Sequence, residues 1–108
     1  MPDQTSETTA LLLRLIGGDR QAVDEVLALA LTTDDPSVLV TAGLLAQDAA
    51  YLVRAGECAV EVRDRQLVVL ASAHLEHHTD RFDALVRDHL ADHPDHLLAA
   101  WIAGRPHR

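Results

Sequence analysis

Aromatic side chains are nearly missing from this chain: one Phe, one Tyr and one Trp make up 3% of its 108 residues. Sheets draw on aromatic and β-branched residues, so a core built from Leu, Val and Ala points to helices. Cysteine is reduced to Cys58 alone, which excludes an intrachain disulfide and makes a reduced, cytoplasmic setting the expectation. No apolar run approaches the roughly 18–20 residues that span a bilayer. The opening stretch, MPDQTSETTALLLRLIGG, is acidic and polar before a short apolar run, the reverse of a secretion signal. Positive charge is scarce as well, with 9 Lys and Arg against 17 Asp and Glu and a formal net charge of −8. Nucleic-acid binding works by neutralising phosphates. The only basic cluster is Arg63 and Arg65, with no aromatic platform beside it, so neither nucleic acid nor an anionic membrane surface is an expected partner.

What the chain does have is apolar periodicity. Apolar residues make up 48% of it, which argues against disorder, and its length suffices for one core. The domain reading is a flexible tail over 1–6 and a single helical domain over 7–108. A first helix is predicted over 7–16, stopped by Gly17-Gly18. Asp19 caps a second helix that turns Ala22, Val23, Val26, Leu27 and Ala30 inward. Thr32-Thr33-Asp34-Asp35-Pro36 closes it and opens a third, with Pro36 near the first helical position. Asp48 caps a fourth helix containing Tyr51, Leu52 and Ala55; Gly56 either ends it or sits inside it, and 57–63 is left unassigned. Asp64 is then expected to cap a fifth helix running to about residue 77, and a sixth starts at Thr79, with Thr79 as its expected cap. The sixth places Phe82, Leu85, Val86, His89 and Leu90 on one face, the spacing of an amphipathic helix. Pro94 ends it. A last helix over 96–103 carries Leu97, Leu98, Trp101 and Ile102, and its Trp101 is expected to be buried or at an interface.

The spacing repeats. Segments 7–35, 36–63 and 64–93 are each about thirty residues of helix, tight turn and helix, the signature of stacked helical hairpins. Within the third, Leu67, Leu70, Ala71 and His74 stand at helical steps and Pro94 marks the boundary. This resembles the tetratricopeptide repeat, whose first helix carries a large apolar residue, Leu, a small residue and Tyr at those steps. Phe82 stands where that family has a small residue, and the unit is shorter than the family's 34. The resemblance implies an all-α, right-handed array of three stacked antiparallel hairpins closed by a C-terminal cap helix. It also implies a protein-binding role, with the first helix of each hairpin lining a concave side. In the third unit Arg65, Ser72 and Glu76 point away from the core face, which makes them the candidate partner-binding residues.

Six of the seven histidines lie between positions 74 and 96. His74/His78 and His89/His93 are i, i+4 pairs, a spacing at which two imidazoles on a helix can share a metal. In an antiparallel hairpin turning at His78 the two pairs lie apart, with His89 about ten residues, or ~15 Å, beyond the turn. No metal site or cofactor is assigned; histidine-dependent metal binding or sensing is the alternative function. His93 and His96 flank Pro94, where Asp92 and Asp95 can accept their protons. Cys58 has no motif around it, Ser37 and Ser72 lack a nucleophile elbow, and Gly17-Gly18 lacks the Lys and Ser/Thr of a phosphate loop. No pair of carboxylates stands out as acid and base, so an enzyme is not expected. The expected function is protein–protein interaction or self-association. Whole-chain acidity favours a basic protein or peptide partner, and a homodimer is the other option.

Overall fold

In a computed structural model that describes residues 4–105, with side chains from residue 7 onward, the chain is all helical. The helices are α1 (Gln4–Ile16), α2 (Arg20–Leu29), α3 (Pro36–Ala46), α4 (Ala49–Cys58), α5 (Val62–Leu75), α6 (Thr79–Asp92) and α7 (Leu97–Ala103). There is no strand among the described residues. Helix α1 begins at Gln4 rather than residue 7, so half of the segment expected to be a flexible tail is helical; residues 1–3 lie outside the described residues.

Short polar signals set most of the turns. Gly18 adopts φ 95°, a conformation that costs glycine little, and Asp19 accepts from the Gln21 amide at 2.9 Å. Arg14 closes this turn, with one guanidinium nitrogen 2.9 Å from Asp19 and another 2.8 Å from Glu25. The pairing holds the Asp19 carboxyl below its ordinary range, chiefly through the Arg14 hydrogen bond. Asp35 and Asp48 cap α3 and α4 in the same way, each accepting at 2.9 Å from the amide two residues on, and Pro36 takes the first turn of α3. Arg54 of α4 reaches back to donate to the carbonyls of Ala30 and Thr33 at 2.9 and 3.2 Å, which fixes the loop between α2 and α3.

Two expected caps are not used. Helix α5 begins at Val62, with Glu61 at the cap position and no side-chain hydrogen bond. Asp64, expected to be the cap, lies within the first turn. Burial there pushes its carboxyl pKa up, the effect of desolvation outweighing the pull of Arg63. Likewise His78, not Thr79, occupies the cap of α6, because His77 takes a left-handed φ of 61° and Thr79 becomes the first helical residue. Gly56 lies inside α4.

Each consecutive pair, α1 with α2, α3 with α4 and α5 with α6, packs against itself. Helix α3 is the centre. Every residue from 38 to 44 is buried, including Thr41, whose hydroxyl donates to the Ser37 carbonyl at 2.7 Å. It meets α2, α4 and α5. A helix enclosed along its middle cannot line an open binding side, so the expected row of exposed first helices does not pass through α3. The last helix does more than cover the third hairpin, since α7 touches both α6 and α1 and so joins the last helix to the first. Leu98, Ala99 and Ile102 are the buried residues of α7, while Leu97 is exposed. Trp101 is half-buried, with the Arg105 guanidinium 4.7 Å above its ring. No helix among the described residues is long and apolar enough to cross a membrane.

Candidate functional site

The histidines separate into two environments. At the closed end of the third hairpin, His74 is buried with its ring edge-on to Phe82, the centroids 5.0 Å apart. The left-handed backbone at His77 breaks the helical register, so His78 does not follow His74 as a fourth-residue neighbour on α5. His78 instead turns outward, 3.5 Å from the Glu76 carboxylate. The sequence pair His74/His78 is therefore not brought to one point.

At the other end His89, His93 and His96 converge. His89 is 1% exposed, and both of its ring nitrogens are engaged. Nδ1 lies 2.8 Å from Gln66 Oε1 and Nε2 lies 2.7 Å from His96 Nδ1. An amide oxygen can only accept, so His89 carries its proton on Nδ1 and leaves Nε2 to accept from His96 Nδ1–H. The chain Gln66–His89–His96 thus joins α5, α6 and the cap position of α7 through hydrogen bonds satisfied in the neutral state. His93 packs on His89, ring centroids 5.0 Å apart. His96 does not pair with Asp95 as its sequence position suggests. Desolvation first, then Arg63, His89 and His93, pushes its pKa down to about 4. His89 is lowered for the same leading reason. Among the described residues no group of three or more His, Cys, Asp and Glu side chains is placed to hold a metal ion. The two hydrogen bonds pin α5, α6 and the start of α7 to one another.

The sequence-derived partner residues lie on a different surface, the outward face shared by α4 and α5. Arg65 and Glu76 are exposed and Ser72 is half-buried. Arg65 donates to the Ala59 carbonyl at 3.4 Å, which anchors its stem at the end of α4. The Ser72 hydroxyl turns back to the Val68 carbonyl at 2.9 Å, so it shapes the face rather than offering a donor. Sequence reasoning missed the apolar part of this surface. Val53 is 61% exposed, Val69 41% and Val60 78%, and Gly56 opens a notch beside Val68. A shallow hollow of about 200 Å³ lies between the helices, lined by Ala49, Leu52, Val53, Ser72, Leu75 and Glu76. The signal available was the outward spacing of Ala49, Val53 and Gly56 on a helix whose other side carries Leu52 and Ala55.

A larger hollow of about 610 Å³ lies between α1, α2 and the loop before α3. Among the described residues it is lined by Glu7, Glu25, Asp34 and Asp35, and by one cation, Arg14, already paired with Asp19 and Glu25. Its volume exceeds that of the α4/α5 hollow and Leu11 and Leu29 give it some apolar wall, but four carboxylates crowd it, so the smaller, less charged hollow is the better binding candidate. No protein-family model, curated protein or solved structure matches the chain, so the functional reading stands on these surfaces alone.

Proposed function

We propose that this chain is a non-catalytic docking module of the helical-hairpin type, acting in the cytoplasm and holding another protein chain on the α4/α5 face. The observation that carries the reading is the exposed, uncharged row Ala49, Val53 and Gly56 on α4, with Val60 exposed just past the end of that helix and Val69 exposed on α5. Apolar residues scattered singly on a surface call for no explanation, but Ala49 and Val53 border a hollow with Leu52, Leu75, Ser72 and Glu76, and exposed apolar residues grouped around a hollow mark a contact site. The tetratricopeptide-like arrangement is supported by the self-packing of the three hairpins and by the contact of α3 with α5. The closure of α7 on α1 and the burial of α3 favour this outer face over a concave groove.

A photo-crosslinking residue placed at Val53 in cells tests the proposal, with the same residue at exposed Asp88 on α6 as control. The expected result is a discrete adduct from position 53 and none from 88. Equal yield from the two positions, or no adduct from either, would remove the face from consideration.

A further inference from the structure

Building on that docking-face reading, we infer that the partner on the α4/α5 face is a second copy of this chain, related by a two-fold axis that sets α5 antiparallel to α5 and α4 antiparallel to α4. The exposed ridge of α5 reads Arg65, Val69, Ser72 and Glu76, steps of four, three and four. That order is symmetric about its centre. An antiparallel copy places Arg65 opposite Glu76 and Val69 opposite Ser72, and each pairing occurs twice in an isologous interface. A parallel copy would instead set Arg65 beside Arg65 and Glu76 beside Glu76.

Helix α4 obeys the same axis. Gly56 lies beside Val68, where an added Cβ would stand 3.8 Å from the Val68 side chain, and Ala49 and Val53 share the hollow with Ser72 and Glu76. The two helices therefore run antiparallel, and the point of α4 level with the midpoint between Val69 and Ser72 falls between Val53 and Gly56. Rotation about that one axis sets the exposed Val53 of one copy over the Gly56 notch of the other. Knob meets notch and cation meets anion under a single operation.

Charge supports the choice of occupant. The chain as a whole carries −8, which suggests a basic partner, yet this ridge carries one Arg and one Glu and is locally neutral. A basic partner would gain little there. Repulsion between two acidic copies is screened over roughly 8–10 Å at physiological salt. A stable interface takes about 800 Å² from each side, a modest share of the 6488 Å² surface.

Sedimentation velocity on the full chain at about 50 µM and moderate salt tests the inference, a concentration at which a micromolar dimer is well populated. The wild type is expected to sediment as a dimer. Glu76→Arg and Arg65→Glu each place like charges opposite one another twice, and each should weaken association at least tenfold. Combining the two in one chain restores opposite-charge pairs and should restore the dimer. Val53→Asp, which buries a carboxylate at the notch, should abolish it. Circular dichroism of each variant verifies that the exposed substitution leaves the helices folded. A monomeric wild type overturns the inference, as does a dimer indifferent to both charge reversals. If a monomeric wild type still gives a position-53 adduct with a different protein, self-pairing fails while the docking face stands.

Discussion

Acidification should loosen the far end of the third hairpin, and the histidine pin sets both the pH window and the size of the effect. His96 has a pKa of about 4 in the folded chain, against an ordinary value of 6.5. Between these values the unfolded chain binds a proton that the folded chain does not. Stability therefore rises with pH across that window, is full above about 6.5, and is lost as pH falls toward about 4. The hydrogen bonds alone would tolerate a proton on His96 Nε2, since Nδ1 would still donate to His89. What opposes it is lost hydration, together with the Arg63 charge from α5 and the His89 and His93 rings, only partly offset by Asp95. At full weight the gap is worth ~3 kcal/mol. The His96 ring is partly exposed, so solvent screening reduces this to ~1.5 kcal/mol. For a domain of this size that is a fall in Tm of roughly 6–12 °C. The perturbation is His96→Asn, whose amide nitrogen can take the place of Nδ1 and donate to His89 without titrating. Urea denaturation followed by helical circular dichroism, at steps from pH 7 to pH 4, gives the stability of both proteins. The wild type should lose ~1.5 kcal/mol more than the variant across the window. Carboxylates titrate in both and cancel, and a remaining slope from His89 is expected in the variant. Parallel curves for the two proteins, or a directly measured His96 titration near its ordinary value, would refute the reasoning.

Glycine positions on α3 and α4 should respond oppositely to a methyl group. Gly43→Ala sets a Cβ 3.0 Å from the Leu52 side chain and 3.3 Å from the Asp48 carbonyl, so it should cost ~1–3 kcal/mol in denaturant unfolding. Gly56→Ala meets only ordinary contact at 3.8 Å and should stabilise α4 by up to ~1 kcal/mol when measured below the association range. Arg105→Ala should remove the cation above Trp101, costing ~0.5–1 kcal/mol and shifting the tryptophan emission to the red.

The parts of the fold legible in the sequence are those written by local chemistry. Asp19, Asp35-Pro36 and Asp48 begin helices because a short carboxylate or a fixed φ satisfies orphan amides within two residues. Glu61 and His78 begin helices without a side-chain hydrogen bond, and there the pattern misled. Asp64 has the composition of a cap but follows a helical turn already under way at Val62. Burial was readable for Phe82 and His89 from their shared face on α6. The partner of His89 was not readable. Gln66 is distant in sequence and lies on another helix, and the turn that brings His96 back onto His89 is tertiary. The left-handed His77 that separates His74 from His78 gives no compositional warning either, because such backbones usually fall to Gly or Asn. Arg65, Ser72 and Glu76 were placed on one outward face by helical spacing alone. The apolar neighbours that give the face its character come from α4, and only packing sets them there.

The contrast between α5 and α6 shows where the sequence withholds charge. Both helices have 14 residues. The outward side of α6 is filled with Asp80, Arg81, Asp83, Arg87 and Asp88, which is what contact with water requires. Helix α5 has less side to spare, because α3, α4 and α6 all pack against it and Gln66 is committed to His89. Its apolar residues consequently spread around most of the circumference. Packing demand explains Leu67, Leu70, Ala71 and Ala73, which are buried. It does not explain Val69, which is exposed within the ridge that Arg65 and Glu76 bracket, or Val62, which is exposed in the first turn. An acidic chain under no constraint but solubility would fill those positions as it fills the outer side of α6. Leaving them apolar, beside an α4 row that is also uncharged, favours a surface covered by another chain over one held open to water.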